Sequence, residues 1–176
     1  LMERTEARQE LVQAIRVGLA KDRVGLVFQP VVDVDSNLVV GAEALMRLRG
    51  PDGNLLPTLA SVVAAEAAGL AELWGDRVLH LALGEASTWP QHMSLAVNIS
   101  TRELTGRDLR NRVERALRLH DFDPARLILE ITETSILRAG RSAIAELEKL
   151  RQQGARVAID EFGTAAATLA NLPRLP

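Results

Sequence analysis

Val39-Val40-Gly41-Ala42-Glu43-Ala44-Leu45-Met46-Arg47 is the stretch from which the fold of this chain is read. Apolar residues and glycine surround a single carboxylate, the pattern of a buried strand that nevertheless carries an acid. An ionised carboxylate buried without partners is very costly, so Glu43 must meet a cation or a donor. Strand alternation puts Glu43, Leu45 and Arg47 on one face, an acid, an apolar contact and a cation together.

Upstream lies Gly25–Val34, β-branched and apolar, with Pro30 arguing for an edge or bulged strand. Asp35-Ser36-Asn37 is a turn cluster between the two, so they are expected to form an antiparallel hairpin. Before them, Leu11, Ile15 and Leu19 recur at helical spacing with Val12 beside them, giving a leading helix over Thr5–Lys21, within residues 1–22. After the Glu43 strand comes a turn at Gly50-Pro51-Asp52-Gly53. Helices are expected over Ser61–Ala68, closed by Gly69, and Ala71–Ser87, with Leu70, Trp74, Val78 and Leu81 as the buried stripe. Trp74 and Trp89 read as packing residues.

A regular alternation then begins: strand Ser94–Ile99, helix Asp108–Leu119, strand Arg126–Ile131, helix Arg141–Gln153 with Gly154 after it, strand Arg156–Ile159. Strands separated by helices of this length mean βαβ units with parallel, right-handed crossovers. The fold class is therefore α/β, a barrel or an open sheet.

Composition is that of an ordinary globular domain. The chain has 176 residues, 47% hydrophobic and 25% charged, with a net charge of −2. No basic field draws it to DNA, RNA or an anionic membrane surface. The absence of cysteine excludes disulfides, thiolate metal sites and a cysteine nucleophile, and accords with a cytoplasmic location. No apolar run is long enough for a membrane segment. Neither a glycine-rich phosphate loop nor a serine triad is legible, and His80, His92 and His120 read as surface or second-layer residues.

The polar residues at or near the strand ends are Gln29, Glu43, Asn98, Glu130 and Asp160. All but Gln29 are hard oxygen donors of the kind Mg²⁺ and Mn²⁺ take. Carboxylates from separate strands aimed at one mouth repel one another unless a cation neutralises them. A divalent metal site is the expectation, with an acid–arginine network as the alternative.

These residues lie in a set of motifs: Phe28-Gln29-Pro30, Glu43-Ala44-Leu45 followed by Arg47, Val97-Asn98-Ile99-Ser100, Glu130-Ile131-Thr132-Glu133, and Asp160-Glu161-Phe162-Gly163-Thr164. In order and spacing they resemble the EAL domain, the bacterial cyclic di-GMP phosphodiesterase family, from about Leu11 to the last residue. The resemblance implies a TIM-like (β/α) barrel whose first strand is antiparallel, here incomplete, with about five strands. It implies hydrolysis of cyclic di-GMP to linear pGpG with Mg²⁺ or Mn²⁺, two ions in a complete domain. By motif position Glu43, Asn98, Glu130 and Asp160 match ligands of one metal. Asp160 also bridges to the second, for which Glu161 stands at a ligand position. Glu43, Asp160 and Glu161 are the residues matched to catalysis. Arg47 corresponds to a contact to the substrate phosphate, and Gln29 and Leu45 to other substrate contacts. Glu133 matches a residue that positions the loop after Asp160. A homodimer and an upstream sensory or cyclase-like domain are the partners the family suggests.

Two departures stand out. The family usually has adjacent aspartates where this chain has Asp160-Glu161, and Gly-Tyr-Ser-Ser where it has Ala165-Ala166-Ala167-Thr168. The extra methylene displaces a ligand, and alanine disfavours the positive φ open to glycine. Leu172-Pro173-Arg174-Leu175-Pro176 falls just before the family's Lys-Ile-Asp strand, so residues 1–176 read as the N-terminal two-thirds of one EAL-like domain. A degenerate module that senses cyclic di-GMP or docks a partner is the rival expectation to an enzyme.

Overall fold

The computed structural model describes residues 2–21, 23–106 and 108–160, with side chains from residue 8 onward. Helix α1 (Met2–Ala20) leads into β1 (Val24–Val32) and β2 (Val39–Leu48), then α2 (Thr58–Ala67), α3 (Ala71–Ala86) and β3 (Ser94–Asn98). After these come α4 (Thr101–Thr105), α5 (Leu109–Leu119), β4 (Leu127–Thr132), α6 (Glu133–Arg138), α7 (Arg141–Gln152) and β5 (Arg156–Asp160). The sheet order is β1-β2-β3-β4-β5. β1 is antiparallel to β2 and every later pair is parallel. This is the expected hairpin followed by βαβ units, and the described strands do not close into a barrel.

The local chemistry explains the boundaries. Pro30 sits opposite Ala42 on the edge strand β1, where its missing N–H leaves no interior ladder broken. Asp33 caps the following turn, accepting from the Ser36 backbone N–H at 2.8 Å and from its hydroxyl at 2.7 Å. Gly69 (φ 71°) follows α2 and Gly154 (φ 109°) follows α7, both in the left-handed region where glycine carries no Cβ penalty. Gly41 answers a different need. A Cβ there would lie 2.6 Å from the Ser94 carbonyl oxygen, so only glycine lets β2 and β3 approach.

The central parallel strands β3 and β4 each have one dry face. Leu95, Val97, Leu127, Leu129 and Ile131 are all at most 1% exposed, packed under the helices with Leu79, Leu83, Val113, Leu147 and Leu150. Burying side chains of this size stabilises by about 1.5–3 kcal/mol each. On α3 the stripe is broader than expected. Trp74 and Val78 are buried, but Leu70 and Leu81 only flank the core, while Leu79, Ala82, Leu83 and Ala86 fill it. Trp89 packs edge-on against Phe28, ring centroids 5.1 Å apart. No described helix is long and apolar enough to cross a membrane.

The short helices α4 and α6 were not expected. Each starts at a hydroxyl cap: Ser100 accepts from the Glu103 N–H in a capping box, and Thr132 accepts from the Ser135 N–H. They turn the chain over directly above β3 and β4, which fixes the rim of the site.

Candidate active site

The other face of the sheet carries the polar residues, and parity puts them there. Glu43 is opposite Gln29 on one side and Ala96 on the other. Asn98 is opposite Glu130, Glu130 opposite Ala158, and Thr132 opposite Asp160. Because side chains alternate along a strand, residues an even number of positions apart share a face. Glu43, Asn98, Glu130 and Asp160 therefore all project from the face away from the core, climbing from strand to strand. Leu45 and Arg47 follow Glu43 on the same face, half-buried, while Ala44, Met46 and Leu48 turn into the core.

Two residues expected at or near strand ends lie elsewhere. Glu43 and Gln29 lie in the middle of their strands, because β2 runs on past the end of β3 to Leu48. Glu133 is not a strand residue at all. It is the first residue of α6 and is buried at 5% exposure.

Contacts across the face are direct. The Asn98 amide donates to Glu43 Oε1 at 2.6 Å, a bond that fixes both side chains. Burial, with Glu43 and Asp160 beside it, pushes the Glu130 carboxyl up to about 7. Three carboxylates thus share one region, and the charges of Glu43 and Asp160 both act on Glu130. Arg47 donates to the Met46 carbonyl at 2.9 Å rather than to any of them. Lower on the same face Arg156 donates to the Ser94 hydroxyl.

The donors are oxygen-only, the chemistry a hard dication prefers. Among the described residues no group of three or more aspartate, glutamate or histidine side chains is placed to hold a metal ion by itself. Glu161, the altered loop at Ala165–Thr168 and the last residues, Leu172–Pro176, lie outside the described residues.

Sequence reading missed the support behind the site. Glu103, 3% exposed, accepts from the Ser100 N–H at 3.2 Å, the Ser100 hydroxyl at 2.9 Å and Arg112 Nη2 at 3.1 Å. Arg112 also donates to Asp76 at 2.6 Å and to the Glu72 carbonyl at 2.8 Å. Burial pushes the Glu103 carboxyl upward against the pull of Arg112. The Ser-x-x-Glu capping spacing at Ser100–Glu103 was the available signal. Beside it, Thr101 and Ser135 hydroxyls pair at 2.6 Å and Ser135 pairs with Thr132 at 2.7 Å. These bonds tie the rim after Asn98 to the rim after Glu130.

The family model for the EAL domain matches residues 9–176. The chain belongs to the EAL domain family. It is 34% identical over 169 residues to an uncharacterized signaling protein of Caulobacter vibrioides, covering 96% of this chain and 21% of that protein. It is 32% identical over 171 residues to the bifunctional diguanylate cyclase/cyclic di-GMP phosphodiesterase MucR of Pseudomonas aeruginosa, covering 95% of this chain and 25% of MucR. The chain thus spans about a fifth to a quarter of the curated relatives it matches. Among solved structures, the PaMucR phosphodiesterase in complex with c-di-GMP superposes with a TM-score of 0.87 at 32% identity, over 94% of this chain and 69% of that one. The FimX EAL domain of Pseudomonas aeruginosa bound to c-di-GMP matches at TM-score 0.80 and 24% identity, over 94% and 67%, a likeness of fold. EAL domains are TIM-like barrels, and the five described strands, the first antiparallel, form an unclosed sheet of that kind.

Proposed function

We propose that this EAL domain hydrolyses one phosphodiester of cyclic di-GMP to linear pGpG with Mg²⁺ or Mn²⁺. The observation that carries the reading is the convergence of Glu43, Asn98, Glu130 and Asp160 on one sheet face, with Glu130 raised to about 7 by burial and by its acidic neighbours. That imbalance is what a bound dication corrects. In this reading Glu43, Asn98 (through its amide oxygen), Glu130 and Asp160 hold the first ion, and Asp160 and Glu161 reach the second. Bound ions supply a Lewis acid and an activated water at neutral pH. Asn98 orients Glu43, Arg47 receives the substrate phosphate, and Gln29 and Leu45 line the approach from the same face. Glu133, held at the start of α6, positions the loop that follows Asp160. The whole protein is read as a multidomain, cytoplasmic signalling protein whose EAL domains pair as dimers, with a sensory or cyclase-like unit upstream.

A second reading, a degenerate module that binds cyclic di-GMP without turnover, is favoured by Glu161 and by the Ala165–Ala167 loop. The test is release of the linear dinucleotide by the full-length gene product in Mn²⁺, beside Glu43→Ala. Turnover abolished by that substitution supports the enzyme. Binding of cyclic di-GMP by folded protein, with no turnover at any Mn²⁺ concentration, selects the sensor.

A further inference from the structure

Away from the carboxylate face, two of the chain's three histidines meet on the outer helical layer. His120, which caps α5, brings its Nε2 to 2.9 Å from Nδ1 of His80 on α3. The rings are tilted by 55° with centroids 4.6 Å apart. Gly84, one turn after His80 on α3, makes room for the second ring: a Cβ there would lie 3.2 Å from His120 Cε1 and 3.5 Å from its Nδ1. His80 is exposed and His120 half-buried, so the pair is open to solvent on one side. One proton can occupy the bridge between the facing nitrogens, and two cannot.

We propose that His80 and His120 form a bidentate surface site for a borderline first-row dication, Ni²⁺, Cu²⁺ or Zn²⁺, that clamps α3 to α5. Imidazole nitrogens suit these ions, whereas Mg²⁺ prefers oxygen. Two nitrogens bound at 2.0–2.1 Å in cis positions of a square-planar or octahedral ion stand about 2.9 Å apart, and about 3.3 Å apart around a tetrahedral one. The 2.9 Å separation of the two nitrogens therefore matches the cis bite of Cu²⁺ or Ni²⁺, water completing the sphere. Burial and the adjacent His80 ring hold the His120 imidazole below its ordinary value, which keeps its ring nitrogens available at neutral pH. The site shares no residue with the carboxylate face, so it stands whether or not the domain is a phosphodiesterase.

The test is pulsed EPR of the full chain with one equivalent of Cu²⁺ in excess Mg²⁺, the Mg²⁺ occupying hard oxygen sites. Coupling to two imidazole nitrogens is expected. It should fall to one or none in His80→Gln and in His120→Gln, and persist in His92→Gln, whose histidine lies in the connection before β3. A rise in unfolding temperature on adding Ni²⁺ should be present in the wild type and lost in His80→Gln. A wild-type spectrum with oxygen ligands only, or with a single imidazole, overturns the proposal. So does two-nitrogen coupling that survives His80→Gln, a substitution at an exposed position that leaves the fold intact.

Discussion

Replacing Glu130 by glutamine should make the metal-free protein more stable at alkaline pH while removing its capacity to hold a cation. Burial and the charges of Glu43 and Asp160 raise the Glu130 carboxyl from 4.5 to about 7. The folded state therefore keeps a proton that the unfolded chain releases, and stability falls as pH rises from about 4.5 through 7. At 1.36 kcal/mol per pH unit the full difference corresponds to about 3 kcal/mol. Glu130 is only partly buried, and screening by solvent reduces this to about 1–2 kcal/mol. Glutamine keeps the shape and never ionises, so Glu130→Gln should gain that amount in urea denaturation at pH 8 with chelator present. At pH 4 the gain should shrink below about 0.5 kcal/mol, because most of the wild-type carboxyl is then protonated in both states. Adding Mn²⁺ at pH 8 should reverse the order, stabilising the wild type and leaving the variant unchanged. A variant no more stable than wild type at pH 8, or an equal gap at both pH values, would refute the raised Glu130 carboxyl as a cost to the metal-free fold.

Three further outcomes follow from the supporting structure. Arg112→Ala should destabilise by about 3–5 kcal/mol at pH 7, since it strands the buried Glu103 carboxylate, and by less near pH 4, where Glu103 takes a proton; paired urea melts measure both. Gly75→Ala should cost about 3 kcal/mol or more in the same assay, because its Cβ would fall 1.6 Å from Glu103 Oε1 and 2.8 Å from Arg112 Nη2. Arg47→Ala should reduce kcat/KM for cyclic di-GMP by about tenfold to a hundredfold, the worth of one charged hydrogen bond to phosphate, without changing the melting temperature by more than a few degrees. An unaltered kcat/KM would remove Arg47 from the substrate site.

Periodicity made the sheet readable. The β2 stretch alternates so cleanly that the face of Glu43 could be assigned before any partner strand was known, and Asn98, Glu130 and Asp160 inherit their faces from strands of the same kind. Short segments carry no such signal. Five residues in α4 and six in α6 complete too few turns to show a helical period, and their capping hydroxyls were the only clue. The α3 stripe was drawn too narrow because alanine counts little in a hydrophobic pattern, yet Ala82 and Ala86 are fully buried. The Glu103–Arg112 pair joins two helices and cannot be paired from sequence. Arg112 did announce itself in one way, standing on the stripe of Leu109, Val113 and Leu117 where an apolar residue belongs. The hairpin was legible, but how far β2 overhangs β3 was not, since that depends on the register imposed at Gly41 and Ser94.

The parity of the donor strands also makes the candidate site a checkpoint on assembly. A slip of one residue in any of β2, β3, β4 or β5 would send that strand's donor into the oily layer and bring an apolar neighbour (Ala44, Val97, Leu129 or Ile159) to the mouth. Since the donors come from four strands far apart in sequence, with 55 positions between Glu43 and Asn98 alone, an unfolded or misregistered chain has nothing with which to grip an ion. A cation that binds here would therefore act as a proofreader, rewarding only the one alignment in which every strand is in step.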